Sequence, residues 1–584
     1  MEEDHSFIAN GFVNHNTSED PNLQQIPAEK GLVKRMFISS PGHSFVCGDF
    51  NQLQFRLVAH YAMKFCKKSK AAEAYAQGMD LHKKTMLELI QMLIDPGTDF
   101  IELGLDAGYD IGKKRLHGGP AYEEEKRGHI PGGGVVTGVG IVHGKDCMIF
   151  ANENRVAAGS YFPITLKRHM RAQAIAEQCG LPCIYIADSG GVNLPLQVGS
   201  FADDGHFGSM FYNMCRMSAK GVKQYTLSTG GNTAGGAYIV YLASESIMIE
   251  KMAYAFLAGP PMVKSAIGET VAMEDLGGAY VHTQHSGGCD HLVHTQQEGI
   301  EKLRAMMEFE PAQKICIERR ASREPRYDFR EMMASTPINT YQHISIRDTI
   351  KCLADDSYFH EYKAKYGLAR GESIVCGKMW LKGIPVGVIA SNAGGVIYIE
   401  AARKATEWMI RCGNSRIPVL FLQGSPGYMV GKAEEWGGIG KYGADMVRAC
   451  TCLEAPKVTY VIGPDHGAAN YGMCGRAFKP RFAFTNMRGR TTVMSGETAG
   501  FILETVRRKN ITDKGGAVDE AEMAAFRQQM RNRYDEEGHP FYTGSLLFHD
   551  GVIAFSEARE RLARAVEIAL HVPIRESVWG DMKV

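Results

Sequence analysis

Short apolar runs alternate with amphipathic patterns through the last two-thirds of the chain. The runs at 181–191 (LPCIYIADSGG) and 417–427 (IPVLFLQGSPG) each contain a strand-like apolar stretch and end in small residues. Apolar positions at helical spacing in Pro163–Gln178 and Glu400–Cys412 predict helices between such strands. Strands of five to seven residues that alternate with helices predict an α/β fold.

The same pattern occurs twice in the same order. Gly138–Asn152 is echoed by Gly377–Asn392, 181–191 by 417–427, and Lys223–Tyr238 by Lys457–Tyr471, at offsets of 239, 236 and about 234 residues. An ordered duplication of this kind predicts two similar domains, each with a buried strand that ends in a small-residue turn.

Two of these turns are candidates for chemistry. Thr233–Gly236 and Gly467–Asn470 each follow a strand-like apolar run and consist mostly of Gly and Ala. Backbone N–H groups at the start of a helix are free to stabilise a negatively charged oxygen, and small residues allow close approach. The alternative is a tight strand-to-helix connection that needs small residues only for packing. A nucleotide phosphate is not expected, since no Gly-Lys-Ser/Thr follows either turn.

Composition narrows the function classes. Lys plus Arg and Asp plus Glu both number 65 in the 584 residues, so no nucleic-acid partner is implied. The 14 cysteines show no paired framework, which predicts reduced thiols in an intracellular protein. The acidic start and the lack of an apolar run near 18 residues predict no leader peptide and no membrane span, and hence a cytoplasmic location.

The first residues have a different character. Residues 4–17 (DHSFIANGFVNHNT) resemble the C-terminal end of an intein, in which a penultimate His (His15) helps a terminal Asn (Asn16) cyclise before a nucleophile (Thr17). The intein N-terminal splicing block is missing. We therefore interpret 1–17 as an intein remnant that does not splice.

Residues 18–88 resemble a fragment of family A DNA polymerases. The strings SEDPNLQQIP (18–27) and VCGDFNQLQFRLVAHYA (46–62) carry this resemblance, which makes Asp49 the counterpart of a metal-binding aspartate. Two-metal nucleotidyl transfer needs a second carboxylate motif, which is absent, so the fragment is expected to be inactive. The nearby Ala62–Phe65 (AMKF) matches a biotin-carrier motif over four residues only, and we interpret it as a coincidence.

The duplicated region contains many family-specific strings. In order they are DPGTDFIELG (95–104), ADSGGVNLPLQ (187–197), TAGGAY (233–238), LAGPPMVKSAIGE (257–269), FHEYKAKYG (359–367), ANYGMCGRAFKPRF (469–482) and MSGETAG (494–500). From about residue 94 to 575 the chain thus resembles the carboxyltransferase (beta) subunit of biotin-dependent acyl-CoA carboxylases. Pro260-Pro261 and NYGMCGRA favour the methylcrotonyl-CoA or geranyl-CoA branch over the propionyl-CoA branch. Propionyl-CoA and acetyl-CoA remain alternative substrates.

The resemblance implies roles for individual residues. It makes Gly235, Gly236, Ala468 and Ala469 catalytic, assigns acyl-CoA binding to Ser160, Tyr161, Ala234 and Lys264, and assigns biotin binding to Ser425, Gly427, Tyr428 and Asn470. The first turn would then stabilise an acyl-CoA enolate and the second the ureido oxygen of biotin. No metal is expected. Biotin is expected on a partner biotin carboxylase/biotin carrier subunit, because the chain has no ATP-grasp loop and no biotinyl-lysine hairpin.

Other clusters are weaker candidates. His282, His285, Cys289, His291 and His294 are close in sequence, but their spacing fits no common zinc pattern, so a structural or interface role is favoured. We expect Cys450 and Cys452 on a packed helix face. Lys264 and Lys404 are candidates for CoA phosphates or for solvated helix charges.

The chain departs from the family pattern in places. Ala157 stands in the string AAGSYF (157–162) where the methylcrotonyl branch usually has Lys. A contact with CoA or substrate that this Lys would make is therefore missing. GSPGYMVG (424–431) replaces the usual Asn-Ile-Thr-Gly-Phe-Met-Val-Gly, which bears on the biotin pocket. The polymerase-like residues 81–94 replace the usual helical lead-in.

The resemblance implies two tandem crotonase-like domains built from a spiral of ββα units. We expect them at 89–335 (acyl-CoA side) and 336–584 (biotin side), in a homo-hexamer whose sites lie between the N-domain of one subunit and the C-domain of another. Two other functions are considered: a crotonase-type acyl-CoA hydratase, isomerase or decarboxylase, and an inactive polymerase- or intein-derived fusion. The second complete turn argues against the first alternative. Zero net charge and the missing catalytic motifs argue against an active nucleic-acid-binding or polymerase-derived protein, and they leave the inactive fusion open as an alternative.

Overall fold

A computed structural model describes residues 6–9, 12–15, 81–108, 130–334, 345–392 and 395–582. The chain forms two compact units, Met1–Leu81 and His82–Val584. In the first, strands Ser6–Ala9 (β1) and Phe12–His15 (β2) form an antiparallel hairpin in which Ser6 pairs with His15. The expected intein residues Asn16 and Thr17, the polymerase-like strings, Asp49 and the AMKF motif lie outside the described residues.

The second unit is a mixed α/β structure, as the alternating pattern predicted. Its strands are Ile101–Glu102 (β3), Val135–Val142 (β4), Lys145–Asn152 (β5), Cys183–Ala187 (β6), Gln224–Ser228 (β7), Gly231–Thr233 (β8), Glu245–Ile249 (β9), Tyr254–Phe256 (β10), His291–Val293 (β11), Phe359–Tyr362 (β12), Ile374–Leu381 (β13), Ile384–Ser391 (β14), Val419–Gln423 (β15), Lys457–Val461 (β16), Pro464–His466 (β17), Phe482–Thr485 (β18), Arg490–Thr492 (β19) and Gly551–Val552 (β20).

Helices such as Pro163–Cys179 and Ile399–Asn414 pack on the sheets, whereas the two longest helices, Gly496–Asp513 and Glu520–Glu537, pack mainly on each other. The α-helices are Leu81–Leu93, Pro163–Cys179, Phe207–Ala219, Gly235–Tyr241, Pro260–Ile267, Met273–Gly277, Ala279–Val281, Gln296–Glu308, Phe329–Ala334, Ile346–Leu353, Leu368–Glu372, Ile399–Asn414, Lys432–Gly437, Ile439–Cys452, Ala468–Gly472, Gly496–Asp513, Glu520–Glu537, Pro540–Ser545 and Phe555–Ala569. The helices predicted at 163–178 and 400–412 are confirmed, at 163–179 and 399–414.

Two seven-stranded sheets share one topology. Their strand orders are β11-β9-β7-β6-β5-β4-β3 and β20-β18-β16-β15-β14-β13-β12. The pairings at the β3 and β12 ends are antiparallel, and from β5 and β14 onward the strands run parallel. Even the register repeats, since Val135 pairs with Asn152 and Ile374 pairs with Ser391, 239 residues later. The expected duplication is therefore present in the backbone.

The helix Leu81–Leu93 belongs to the core of the first sheet. Its apolar face, which includes Leu89, Ile90 and Leu93, is buried in a cluster with strand residues such as Ile149 and Ile247. The boundary expected at residues 88 and 89 falls inside this helix. The boundary expected at 335 and 336 lies outside the described residues.

A larger core joins the two halves of the second unit. It contains Tyr185 of the first sheet, Tyr460 of the second, and Leu562 of the last helix. A buried ion pair crosses the same seam, where Arg171 on the helix Pro163–Cys179 bonds Asp550 at 2.7 and 2.6 Å. The two sheets therefore pack as one body.

Candidate functional site

The first turn begins where β8 ends. The backbone N–H of Ala234 donates to the carbonyl of Phe256 on β10 at 3.0 Å, and the N–H of Ala237 closes back on the carbonyl of Ala234 at 3.2 Å. Between them, the N–H groups of Gly235 and Gly236 have no acceptor among the described residues. A helix, Gly235–Tyr241, starts at these two donors.

The second turn repeats these bonds. The N–H of Gly467 donates to the carbonyl of Thr492 on β19 at 3.1 Å, and the N–H of Asn470 donates to the carbonyl of Gly467 at 3.2 Å. The N–H groups of Ala468 and Ala469, which start the helix Ala468–Gly472, likewise have no acceptor within the described part of the chain. Each half thus presents two adjacent free N–H donors.

The residue before each donor pair has the same unusual conformation. Ala234 has φ 52° and ψ −119°, and Gly467 has φ 58° and ψ −142°. This region suits glycine, so Ala234 is strained while Gly467 is not. Such a conformation at both positions turns the chain sharply out of its strand and into the helix.

A loop from the preceding strand supports each turn through equivalent bonds. In the first half, the carbonyl of Ser189 accepts the N–H of Thr233 at 2.9 Å, and the Ser189 hydroxyl donates to the carbonyl of Gly159 at 3.1 Å. In the second, the carbonyl of Ser425 accepts the N–H of His466 at 3.1 Å. The Ser425 hydroxyl donates to the carbonyl of Gly395 at 2.9 Å. These bonds fix the turns to the carboxyl ends of β6 and β15.

The four residues expected to contact acyl-CoA do not all have exposed side chains. Ala234 is exposed in the first turn, and Ser160 is half-buried, with its hydroxyl bonded to the carbonyl of Ala157 at 2.7 Å. Lys264 is exposed on the helix after β10, the strand that pairs with β8. Tyr161 is 0% exposed and its hydroxyl is bonded to Asn152 and His169, so its side chain is part of the core. The expected ligand contact of the Tyr161 side chain is therefore not supported.

The residues expected to contact biotin surround the second turn. Ser425 and Gly427 form the supporting loop, and Gly427 has φ 142°, a value that favours glycine. Tyr428 is half-buried, with its hydroxyl 3.6 Å from the sulfur of Met446, and burial raises its pKa. The amide of Asn470 donates to Asp465 at 2.6 Å, so this side chain holds the turn from behind.

Sequence reasoning missed two buried ionisable residues beside the second turn. Asp465 is 1% exposed, and burial raises its pKa to about 6. His466 is also buried, and burial lowers its pKa to about 4. Alignment of the two halves identifies the signal, because Asn232 and Thr233 occupy these positions in the first half.

The Gly235 position is more crowded than the sequence suggested. A Cβ added at Gly235 would lie 2.0 Å from the ring of Phe207, which is buried against Tyr161. A substitution at Gly235 therefore perturbs the core as well as the turn.

The histidines that were considered for metal binding bond to other groups of the protein. His282 contacts the carbonyl of Ala255 at 2.6 Å, His291 lies 3.1 Å from Glu245, and His294 lies 2.9 Å from Glu250. No group of three or more His, Cys, Asp or Glu residues that could hold a metal occurs within the described ranges. Cys450 is buried on the helix Ile439–Cys452, as expected.

Lys404 is also buried, so the expected contact with CoA phosphates is not supported. None of the helices in the described ranges has the length and apolar character needed to cross a membrane.

Known proteins resemble this chain over most of its length. The model of the carboxyl transferase domain family matches residues 77–583. The biotin-dependent 3-methylcrotonyl-coenzyme A carboxylase beta1 subunit of Mycobacterium tuberculosis is 38% identical over 532 residues, 91% of this chain and 97% of that protein. The mitochondrial methylcrotonoyl-CoA carboxylase beta chain of Arabidopsis thaliana is 38% identical over 519 residues, 88% of this chain and 85% of that protein.

A solved structure agrees with the sequence comparison. The beta subunit of geranyl-CoA carboxylase from P. aeruginosa superimposes with a TM-score of 0.74 at 29% identity, covering 93% of this chain and 99% of that one. A second family model, DNA polymerase family A, matches residues 14–98 and includes the polymerase-like strings. The intein resemblance of residues 4–17 stays a prediction.

Proposed function

The chain belongs to the carboxyl transferase domain family, and from that premise we propose that it moves a carboxyl group from biotin to an acyl-CoA through two oxyanion-stabilising turns. It is a carboxyltransferase (beta) subunit of the biotin-dependent acyl-CoA carboxylase type. The observation that carries the two-turn mechanism is the pair of free N–H donors that occurs once in each half.

We assign the first turn to the acyl-CoA. Removing a proton from the acyl group places negative charge on the thioester oxygen, and two N–H groups aimed at that oxygen stabilise the charge as it develops. Gly235 and Gly236 supply these donors, and we assign acyl-CoA contacts to the exposed Ala234 before them and to the half-buried Ser160. Removing one such donor costs about 3 to 4 kcal/mol of transition-state stabilisation in well-studied hydrolases.

We assign the second turn to biotin. When it is bound, biotin supplies the carboxyl group and a ureido oxygen that becomes negative as the group leaves. The N–H groups of Ala468 and Ala469 fit such an oxygen, because they are free, adjacent and at a helix start. Gly427 supports this assignment, since a Cβ there would meet nothing within 4 Å. Ser425 and Asn470 hold the backbone in place.

The acyl group is proposed as 3-methylcrotonyl or geranyl. Similarity to proteins named for these two substrates supports this choice over propionyl-CoA or acetyl-CoA. We further propose that biotin is carried on a partner biotin carboxylase/biotin carrier subunit. The cytoplasmic location expected from the sequence stays a prediction.

We propose that each half is a crotonase-like domain and that the chain forms a homo-hexamer with shared sites. The identical strand order of the two sheets supports the duplication. Exposed apolar side chains near both turns, Tyr238 and Leu257 in the first half and Tyr471 and Val493 in the second, support a subunit interface at these edges. The residues before 81 contribute none of the proposed site residues.

The variant Ala468→Pro tests the proposal directly. Ala468 is exposed and is the first residue of its helix, a position where proline fits but provides no N–H. Release of CO2 from carboxylated biotin should fall by roughly 100- to 1,000-fold. Binding of 3-methylcrotonyl-CoA, measured by calorimetry, should be unchanged, because the first turn is intact.

The matched control is Ala468→Gly, which keeps the N–H and should keep most of the activity. Circular dichroism and gel filtration establish that both variants fold and assemble alike. Wild-type CO2 release by Ala468→Pro would show that the second turn is only a packing connection.

A further inference from the structure

The carboxylate of Asp465 lies directly behind the second turn. It accepts the Asn470 amide at 2.6 Å and the Thr491 hydroxyl at 3.4 Å. Asn470 is the third residue of the helix that starts at Ala468, and Thr491 lies on β19, the partner strand of β17. One buried side chain thus joins β17, β19 and the helix whose first two N–H groups are free.

The structure leaves the Asn470 amide little freedom. A Cβ added at Gly475 would lie 1.9 Å from the Asn470 side-chain oxygen, so the amide fits closely between Gly475 and Asp465. The backbone adds a second restraint, because the N–H of Gly475 donates to the carbonyl of Asn470 at 2.7 Å. The bond to Asp465 therefore sets the position of the helix rather than adapting to it.

The first half is held differently. Asn232 takes the place of Asp465, and its amide donates to the Ser228 hydroxyl at 2.7 Å and to the carbonyls of Ala187 and Gly230 at 3.3 Å. These partners all belong to strands or their ends. Ala237, the counterpart of Asn470, has no polar side chain, so the first turn has no equivalent of the bond between Asp465 and Asn470.

We propose that Asp465 is a positioning residue for the second turn, which aligns the N–H groups of Ala468 and Ala469 through Asn470 and whose ionisation lowers their ability to stabilise an oxyanion. The proposal rests on the assignment of that turn to biotin. A carboxylate behind the donors repels a developing negative charge in front of them, whereas the protonated acid does not.

The surroundings of Asp465 make the effect specific. Its side-chain hydrogen-bond partners are Asn470 and Thr491, neither of which carries a charge. Burial raises the pKa of Asp465 to about 6, so the group changes charge in a range where the protein can be assayed. The neighbouring His466 faces the opposite side of β17 and contacts Thr492 at 2.9 Å.

The test measures release of CO2 from carboxylated biotin, without acyl-CoA, between pH 5 and pH 8. At pH 5, where Asp465 is mostly protonated, Asp465→Ala and Asn470→Ala should each lower the rate about tenfold, since each removes the same hydrogen bond. The double variant should be no slower than either single variant, because both act through one contact. Asn232→Ala serves as the matched control in the first half and should leave CO2 release near wild type.

The variant Asp465→Asn separates position from charge. Its side-chain oxygen still accepts the Asn470 amide, so the rate at pH 5 should stay within about threefold of wild type. The wild-type rate should fall about tenfold as the pH rises through 6, and this decline should be absent in Asp465→Asn.

The outcomes distinguish this inference from the proposed function. If Ala468→Pro is inactive while Asp465→Ala and Asn470→Ala release CO2 at the wild-type rate, the turn functions without Asp465 and the inference is overturned. Additive losses in the double variant, or the same pH decline in Asp465→Asn as in wild type, overturn it too. Full activity of Ala468→Pro overturns the proposed function itself, and the inference with it.

Discussion

The two seven-stranded sheets have the same strand order, but different buried groups stabilise them. On the helix Pro163–Cys179, Arg168 is 1% exposed and fully satisfied: it bonds the carbonyl of Leu103 at 2.8 Å and pairs with Glu102 at 3.1 Å. Its counterpart 236 residues later is Lys404, also 1% exposed, whose amine has no hydrogen-bond partner anywhere in the described ranges.

Lys404 has no hydrogen-bond partner in the described part of the chain because another cation, Arg347, binds the glutamate that lies in the place of Glu102. Glu361 occupies the place of Glu102, because each pairs across its sheet with an equivalent glycine, Gly377 or Gly138. In the second half, however, Arg347 bonds both oxygens of Glu361 at 2.9 and 2.7 Å. The strand pairing is therefore the same in both halves, whereas the buried ion pairs differ. Backbone bonds depend little on residue type, whereas a buried charge depends on its one partner.

Replacing Arg168 and Lys404 should give the largest difference between the two halves in the free energy of unfolding. Arg168→Met removes a buried guanidinium that pairs with Glu102 and leaves the carbonyls that it bonds without this donor, so it should cost about 3 to 5 kcal/mol in the free energy of unfolding. Lys404→Met removes an amine that has no hydrogen-bond partner among the described residues, and it should be neutral or stabilising. Urea unfolding of both variants measures the difference. Equal losses would mean that Lys404 has a stabilising role like that of Arg168.

Asp465 of the second half can ionise, whereas its counterpart Asn232 cannot. The free energy of unfolding should therefore depend on the charge of Asp465. The folded pKa of Asp465 is about 6, above the ordinary 3.8, so folding favours the protonated acid. Its stabilising contribution is complete below pH 3.8 and is lost as the pH rises through about 6. Relative to Asp465→Asn, wild type should lose about 3 kcal/mol of unfolding free energy over this range. Parallel stability curves of the two proteins from pH 4 to pH 7 would contradict this expectation.

The donor positions should differ in their tolerance of a methyl group. Gly235→Ala pushes a Cβ against Phe207 and should destabilise the protein by about 1 to 3 kcal/mol. The reciprocal change, Ala468→Gly, affects an exposed position and should cost less than about 1 kcal/mol. Thermal unfolding midpoints of the two variants test this. A harmless Gly235→Ala would mean that Phe207 moves aside easily.

The smallest effect concerns the strained residue before each donor pair. Ala234 has a positive φ that glycine adopts freely, so Ala234→Gly should stabilise the protein by about 0.4 to 1 kcal/mol. Gly467→Ala introduces the same strain in the second half and should cost about 1 kcal/mol. Differential scanning calorimetry measures the unfolding temperature of both variants. If both temperatures shifted in the same direction, backbone strain would not be the cause of the stability changes.

Much of the architecture was predictable from local patterns. The duplication, the α/β alternation, and the helices at 163–179 and 399–414 follow from periodicity and from strings that occur twice. The two turns were also identified correctly as small-residue strand-to-helix connections. The boundary expected at residue 89 falls inside a helix, because Leu89 and its neighbours pack on the first sheet, and local composition carries no record of that contact.

The amino-acid sequence by itself determined the family, the repeated order of strands and helices, and the places where small residues allow a chain to turn. Only the tertiary structure decided which side chains are available there. It buried Tyr161 in the core, set Phe207 against Gly235, and brought Asp465 to Asn470 behind the second turn. Periodicity and residue size act along the chain and can be read locally, whereas burial and charge pairing arise between segments that meet only when the sheets form.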